Sequence, residues 1–244
     1  GFNTTIPSVV GYNKANTQGD GYGGGICIQN GSATIGDFTE VTSNTASNYA
    51  SGTGAGGGIW IVANSAEKFL TLENGTITNN YAKDTGTSGT ARGGAIYANS
   101  TFQDGLDINL NDGTITSNYA SYSDTEGFGG GVYAANNTDV ILSGTKIQNN
   151  HAATGKKGQG GGVCLISTSI SPSSSFTMSG GEITNNYATT TAEGHGGGLY
   201  VEVQSSATYP LPVTRGGGSI IGNTASEEAA GNGGGMALKN RVKA

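Results

Sequence analysis

The residues of this chain best suited to recognising a ligand are aromatic, and they recur at fixed phases. Trp60, Tyr97, Tyr133 and Tyr200 each sit between two apolar residues after a glycine run, as in Gly-Gly-Ala-Ile-Tyr-Ala at 93–98. Tyr81, Tyr119, His151 and Tyr187 each follow an asparagine, as in Ile-Thr-Asn-Asn-Tyr-Ala at 77–82. Flat rings stack on sugars or on partner side chains, joining large contact area to a polar handle. The same rings also stack on one another across strands, at roughly 0.2–1 kcal/mol per pair. Self-stacking beneath glycine-rich loops is the plainer expectation. A binding platform is the functional alternative, and it requires Trp60, Tyr97 and Tyr133 to be exposed in a row.

Other chemistry is sparse. Asp104/Asp107, Asp124/Glu126 and Glu227/Glu228 fall on loops or loop edges, and Glu73 and Asp112 at turns of nearly equal phase. A glycosidase pair needs carboxyls roughly 5–10 Å apart with one pKa raised by its surroundings; these read as solvated turn acids, so no catalytic residue is assigned. His151 and His195 are the only histidines and lack metal-ligand spacing; His195 reads as an exposed loop residue. Asp104-Gly105-Leu106-Asp107 lacks the full oxygen pattern of a calcium loop. The glycine triplets lack the Gly-Lys-Ser/Thr of a nucleotide loop. No metal or cofactor is expected. The file Thr42, Thr78, Thr116, Gln148, Thr184, Ile221 is interrupted and reflects ordinary β-propensity rather than an ice-binding array.

Composition excludes further classes. Charged residues make up 11% of the chain, against a typical quarter. The net charge is −6 with Lys and Arg scattered, so the basic stripe that nucleic acid needs is missing. No apolar run reaches transmembrane length, and no membrane insertion of this segment is expected. Cys27 and Cys164 share a repeat position four coils apart, on the order of 19 Å at strand spacing, beyond the ~7 Å limit between bridged Cα atoms. Both are expected as free thiols. With no signal-peptide pattern and no initiator Met, the chain reads as a mature fragment.

Two ladders position the aromatics. The residues closing each glycine triplet are Gly25, Gly58, Ala95, Gly131, Gly162, Gly198 and Gly235, spaced 33, 37, 36, 31, 36 and 37. The asparagines Asn13, Asn44, Asn80, Asn118, Asn150, Asn186 and Asn223 are spaced 31, 36, 38, 32, 36 and 37. Both keep step along the chain, giving seven repeats. Each repeat reads as three short strands. The first buries pairs such as Ile59/Ile61, the second pairs such as Leu70/Leu72 with Ala33/Ile35 and Leu211/Val213 weaker, and the third buries Ile77, Ile115 and Ile147. Such strands gain a core only by stacking coil on coil. The expected fold is all-β, a right-handed parallel β-helix of about seven coils with three short strands per coil, one domain over residues 1–244. The asparagines are read as a structural ladder that satisfies buried polar atoms at a corner.

These phrases resemble the right-handed parallel β-helix repeats of large bacterial surface proteins, including the GGA(I/L/V) and FxxN repeats of chlamydial polymorphic outer-membrane proteins. Here Ile or Val stands where that motif has Phe, and no autotransporter barrel follows. The resemblance implies a segment of a larger extracellular or cell-surface protein, adhesin-like and non-enzymatic, whose partners are a host or microbial glycan or a surface protein. Pectate-lyase-like enzymes share the fold, so the alternatives are a carbohydrate-active enzyme and a passive stalk.

Overall fold

The computed structural model describes residues 7–83, 85–102, 105–168, 174–204 and 210–244. Asp104 of the calcium candidate lies outside them. One coil shows the plan: Ile59–Ala63, Lys68–Leu72, Thr76–Thr78, Tyr81–Lys83 and Thr90–Arg92, after which the next coil opens with Ile96–Ser100. In this order the strands define a first to a fifth sheet. Every strand pairs in parallel with its counterpart one coil away, and four of the sheets are seven-stranded. The fourth is split into four-stranded and two-stranded pieces, bridged at His151 to Tyr119 and Tyr187. The result is a β-solenoid of about six turns, close to the expected seven coils.

The coil holds five strands where three were expected. The two extra ones are short, and their inward positions are alanine or glycine, such as Ala82, Ala91 and Gly54. These short strands, Tyr81–Lys83 and Thr90–Arg92 among them, occupy chain between the ladder asparagine and the next glycine triplet. Lys83 is wholly buried, its Nζ donating to the carbonyls of Ala50, Gly52 and Ser88.

The core is the space enclosed by the first three sheets. Ile59, Ile61, Leu70, Leu72 and Ile77, with their counterparts in the following coils, form one continuous cluster. Each buried Ile or Leu contributes roughly 1.5–3 kcal/mol. The corresponding pair Met236 and Leu238 is 39% and 37% exposed. Leu211/Val213 departs from expectation in register: Val213 pairs with Phe176, and Arg215 falls opposite Met178.

Two devices turn the corners. In the glycine triplet the first residue adopts left-handed backbone, with φ of 64° at Gly56. The second stacks so closely that a Cβ on Gly57 would lie 2.4 Å from the Gly94 carbonyl oxygen. At the corner after the third sheet, Asn79 and Ser117 take φ of 55° and 56°, and the next residue is the ladder asparagine. Asn80 donates from backbone N and Nδ2 to Asn118 Oδ1 at 3.0 and 2.9 Å, and from Nδ2 to the Val41 carbonyl at 2.9 Å. The coil-to-coil amide contact runs unbroken from Asn13 through Asn44, Asn150 and Asn186 to Asn223.

Candidate functional site

Beside the glycine corner, the outward residues of the first sheet stand in register as Cys27, Trp60, Tyr97, Tyr133, Cys164, Tyr200 and Ala237. Across the corner the fifth sheet contributes Tyr22, Ala55, Arg92, Phe128, Gln159, His195 and Asn232. The two files converge. Tyr22 meets Trp60 at 5.8 Å between ring centroids, the Arg92 guanidinium sits 5.8 Å from the Tyr133 centroid, and His195 overlies Tyr200 at 6.2 Å. Two hollows, one beside Arg92 and one beside Tyr200, form a groove along this part of the corner.

Its floor changes character along the axis. Trp60 and Tyr97 are stacked at 6.3 Å and half-buried, whereas Tyr133 is only 7% exposed and Tyr200 1%. The rings do not form the exposed row that a platform requires: Trp60 and Tyr97 are only partly exposed, Tyr97 is stacked between Trp60 and Tyr133 at 6.3 and 5.4 Å, and Tyr133 is buried. Tyr133 lies beneath Arg92, and burial pushes its hydroxyl pKa up. Next to it a hollow of about 170 Å³ is lined by Arg92, Phe128, Tyr133, Ile166, Thr168 and Gln204. Further along, a hollow of about 410 Å³ is lined by residues including Lys157, Glu193, His195, Tyr200 and Lys239.

The larger hollow carries a polar cluster that sequence reasoning missed. Tyr200 Oη donates to Glu202 Oε2 at 2.9 Å, Gln204 Nε2 donates to the same oxygen at 3.2 Å, and Lys239 Nζ lies 2.8 Å from Oε1. Burial raises the Glu202 pKa, but these hydrogen bonds outweigh it and hold the carboxyl below its ordinary value. His195 was expected to be exposed in a loop. It lies on a strand, its side chain 15% exposed, with Nε2 3.1 Å from Glu193 and Nδ1 3.1 Å from Asn232 Nδ2.

The second aromatic file behaves differently. Tyr81, Tyr119, His151 and Tyr187 stack at 5.4, 4.7 and 4.7 Å with interplanar angles below 10°. Tyr122 closes edge-on over Tyr81 and Tyr119. Both faces of Tyr119 and of His151 are thus occupied by neighbouring rings, leaving neither free for a sugar. Burial drives the His151 pKa down to about 4, and its Nδ1 is buried without a hydrogen-bond partner.

The acids are less dispersed than the sequence suggested. Asp107, expected at a loop edge, points outward from Leu106–Leu110 in direct register with Asp139. Burial raises the pKa of each; Asp139 and Glu67 raise Asp107 further, while Ser175 Oγ, 2.7 Å away, moderates Asp139. Chain order hid this pair because Asp139 lies on the next coil. Glu73 and Asp112 are exposed turn residues. Among the described residues no group of three His, Cys, Asp or Glu side chains could hold a metal. Among the described residues no helix is long and apolar enough to cross a membrane. Comparison with protein-family models, with curated proteins and with solved structures returns no match.

Proposed function

We propose that this chain is a non-enzymatic extracellular or surface-displayed module, adhesin-like, that holds a glycan in the groove between its fifth and first sheets. The observation that carries this reading is the half-buried, stacked pair Trp60–Tyr97, flanked by Tyr22 and Arg92. A solenoid repeats one corner at each turn, so it suits a ligand that is itself a linear repeat. The partly exposed rings supply apolar contact area, and neighbouring side chains supply hydrogen bonds. The bacterial setting rests on the resemblance of the repeats alone.

One observation favours a second reading, a carbohydrate-active enzyme. Asp107 and Asp139 are adjacent carboxyls with raised pKa values, the environment in which one acid keeps its proton. They lie on the second sheet, away from the groove lining, and this makes binding the stronger reading.

A glycan-array screen of the chain beside its Trp60→Ala, Tyr97→Ala double variant tests the proposal. Binding by the parent and at least tenfold weaker binding by a folded variant are expected, with no shortening of bound glycans on prolonged incubation. Absence of binding by the parent would sink the glycan reading. Glycan cleavage abolished by Asp139→Asn would establish the enzyme instead.

A further inference from the structure

We propose that Arg92 forms a carboxylate-binding subsite in the groove, and that the glycan held there is acidic, carrying uronate-type carboxyls; this rests on the glycan reading above. Arg92 ends the strand Thr90–Arg92, and its guanidinium is fixed over two rings, 5.9 Å from the Phe128 centroid and 5.8 Å from that of Tyr133. Stacking occupies the faces of a guanidinium and leaves its N–H edges for planar, bidentate acceptors. One edge reaches Tyr133 through a side-chain hydrogen bond. The remaining donors have no protein carboxylate. Among the described residues the ion pairs are Lys156–Asp124, His195–Glu193 and Lys239–Glu202, and none involves Arg92. Its register partners, Ala55 and Phe128, are uncharged.

That isolation is informative in a chain with 17 acidic residues and a net charge of −6. Lys239, further along the same groove, already has its charge met by Glu202. Arg92 instead adjoins an open hollow whose rim carries the polar groups of Thr168 and Gln204, and Tyr97 lies near enough to feel its charge. A sugar unit seated in that hollow would thus have a cation at its rim. The chemistry met there is a planar anion carried by an otherwise neutral, hydrogen-bonding molecule.

The test is isothermal titration of the 244-residue chain with an oligogalacturonate and with the same oligomer after reduction of its carboxyls to primary alcohols. The acidic oligomer is expected to bind about tenfold tighter or more, as charge-assisted bidentate hydrogen bonds allow, and to lose that margin as salt is raised. Arg92→Gln should erase the difference in affinity between the two oligomers, and Arg92→Lys should recover part of the margin. Circular dichroism checks that each variant is folded. Equal affinity of the unaltered chain for both oligomers would overturn the subsite while leaving the groove as a neutral-glycan site. An acid preference that survives in Arg92→Gln would overturn it in favour of another cation, such as Lys157. Binding of neither oligomer at millimolar concentration would overturn the subsite, and silence of the chain toward neutral glycans on the array as well would remove the glycan reading itself.

Discussion

At the scale of single residues, the ladder asparagines hold the coils together at one corner. Asn118 is fully buried and takes part in five hydrogen bonds through its side chain. Its Oδ1 accepts from Asn80 N and Nδ2, and its Nδ2 donates to the carbonyls of Ile77 and Thr116 and to Asn150 Oδ1. Asn118→Ala strands the backbone N–H of Asn80 and the carbonyls below it. Each buried group left unpaired costs about 1–3 kcal/mol, so a total loss near 3–5 kcal/mol is expected in urea denaturation. Asn13→Ala, at the exposed end of the same ladder, should cost under about 1 kcal/mol. Equal costs at the two positions would mean that the ladder does not act through burial. This role was legible from the chain, since the residue type recurs in phase with the core. Arg92 and Lys83 were not. A long cation reads as surface, and only the fold reveals rings beneath one and carbonyls around the other.

At the scale of elements, the short fourth sheet is organised by its rings. His151 lies between Tyr119 and Tyr187 at 4.7 Å on each side, and that confinement disfavours its charged form. With a folded pKa of about 4 against an ordinary 6.5, the unfolded chain binds the extra proton between those values. The stabilisation is therefore present above pH 6.5 and lost as pH falls toward 4. At about 1.4 kcal/mol per unit, and discounted for partial exposure, about 1–3 kcal/mol should disappear across that window. His151→Phe preserves a stacking ring without a proton to bind. Its unfolding free energy should lose less between pH 7 and pH 4.5 than that of the parent, and parallel profiles would refute the assignment. The stacked file was foreseen because Tyr81, Tyr119, His151 and Tyr187 share one phase. The strands carrying it were not. Three residues with one inward alanine, as in Tyr81–Lys83, give no hydrophobic alternation to read.

At the scale of the whole molecule, stability and length are one-dimensional. Each coil contacts its neighbours, and the same inward residues recur, so whole coils should be removable while fractions of a coil should not. The two ladders made this periodicity legible. The uneven repeat lengths, 31 to 38 residues between successive asparagines, concealed which acids meet, Asp107 and Asp139 among them. Deletion of Tyr187–Asn223 removes 37 residues, the spacing of one repeat. It joins Asn186 to Thr224 and brings Met236 and Leu238 opposite Val163 and Leu165, the partners that Leu199 and Val201 have now. Trp60, Tyr97 and Arg92 stay in place. The shortened chain should fold cooperatively, with a urea m-value lower by roughly 15%, in proportion to the surface exposed on unfolding, and it should keep its response to glycan at Trp60. Deletion of residues 187–204 alone removes half a coil. The strand Leu211–Arg215, which belongs to the second sheet, would then fall at the places of residues 193–197, where the fifth-sheet strand Gly194–His195 and the glycine corner belong. That variant should fail to fold. If both deletions fold equally well, the register of the ladders is not what specifies the stack; if neither folds, the coils depend on contacts beyond their nearest neighbours.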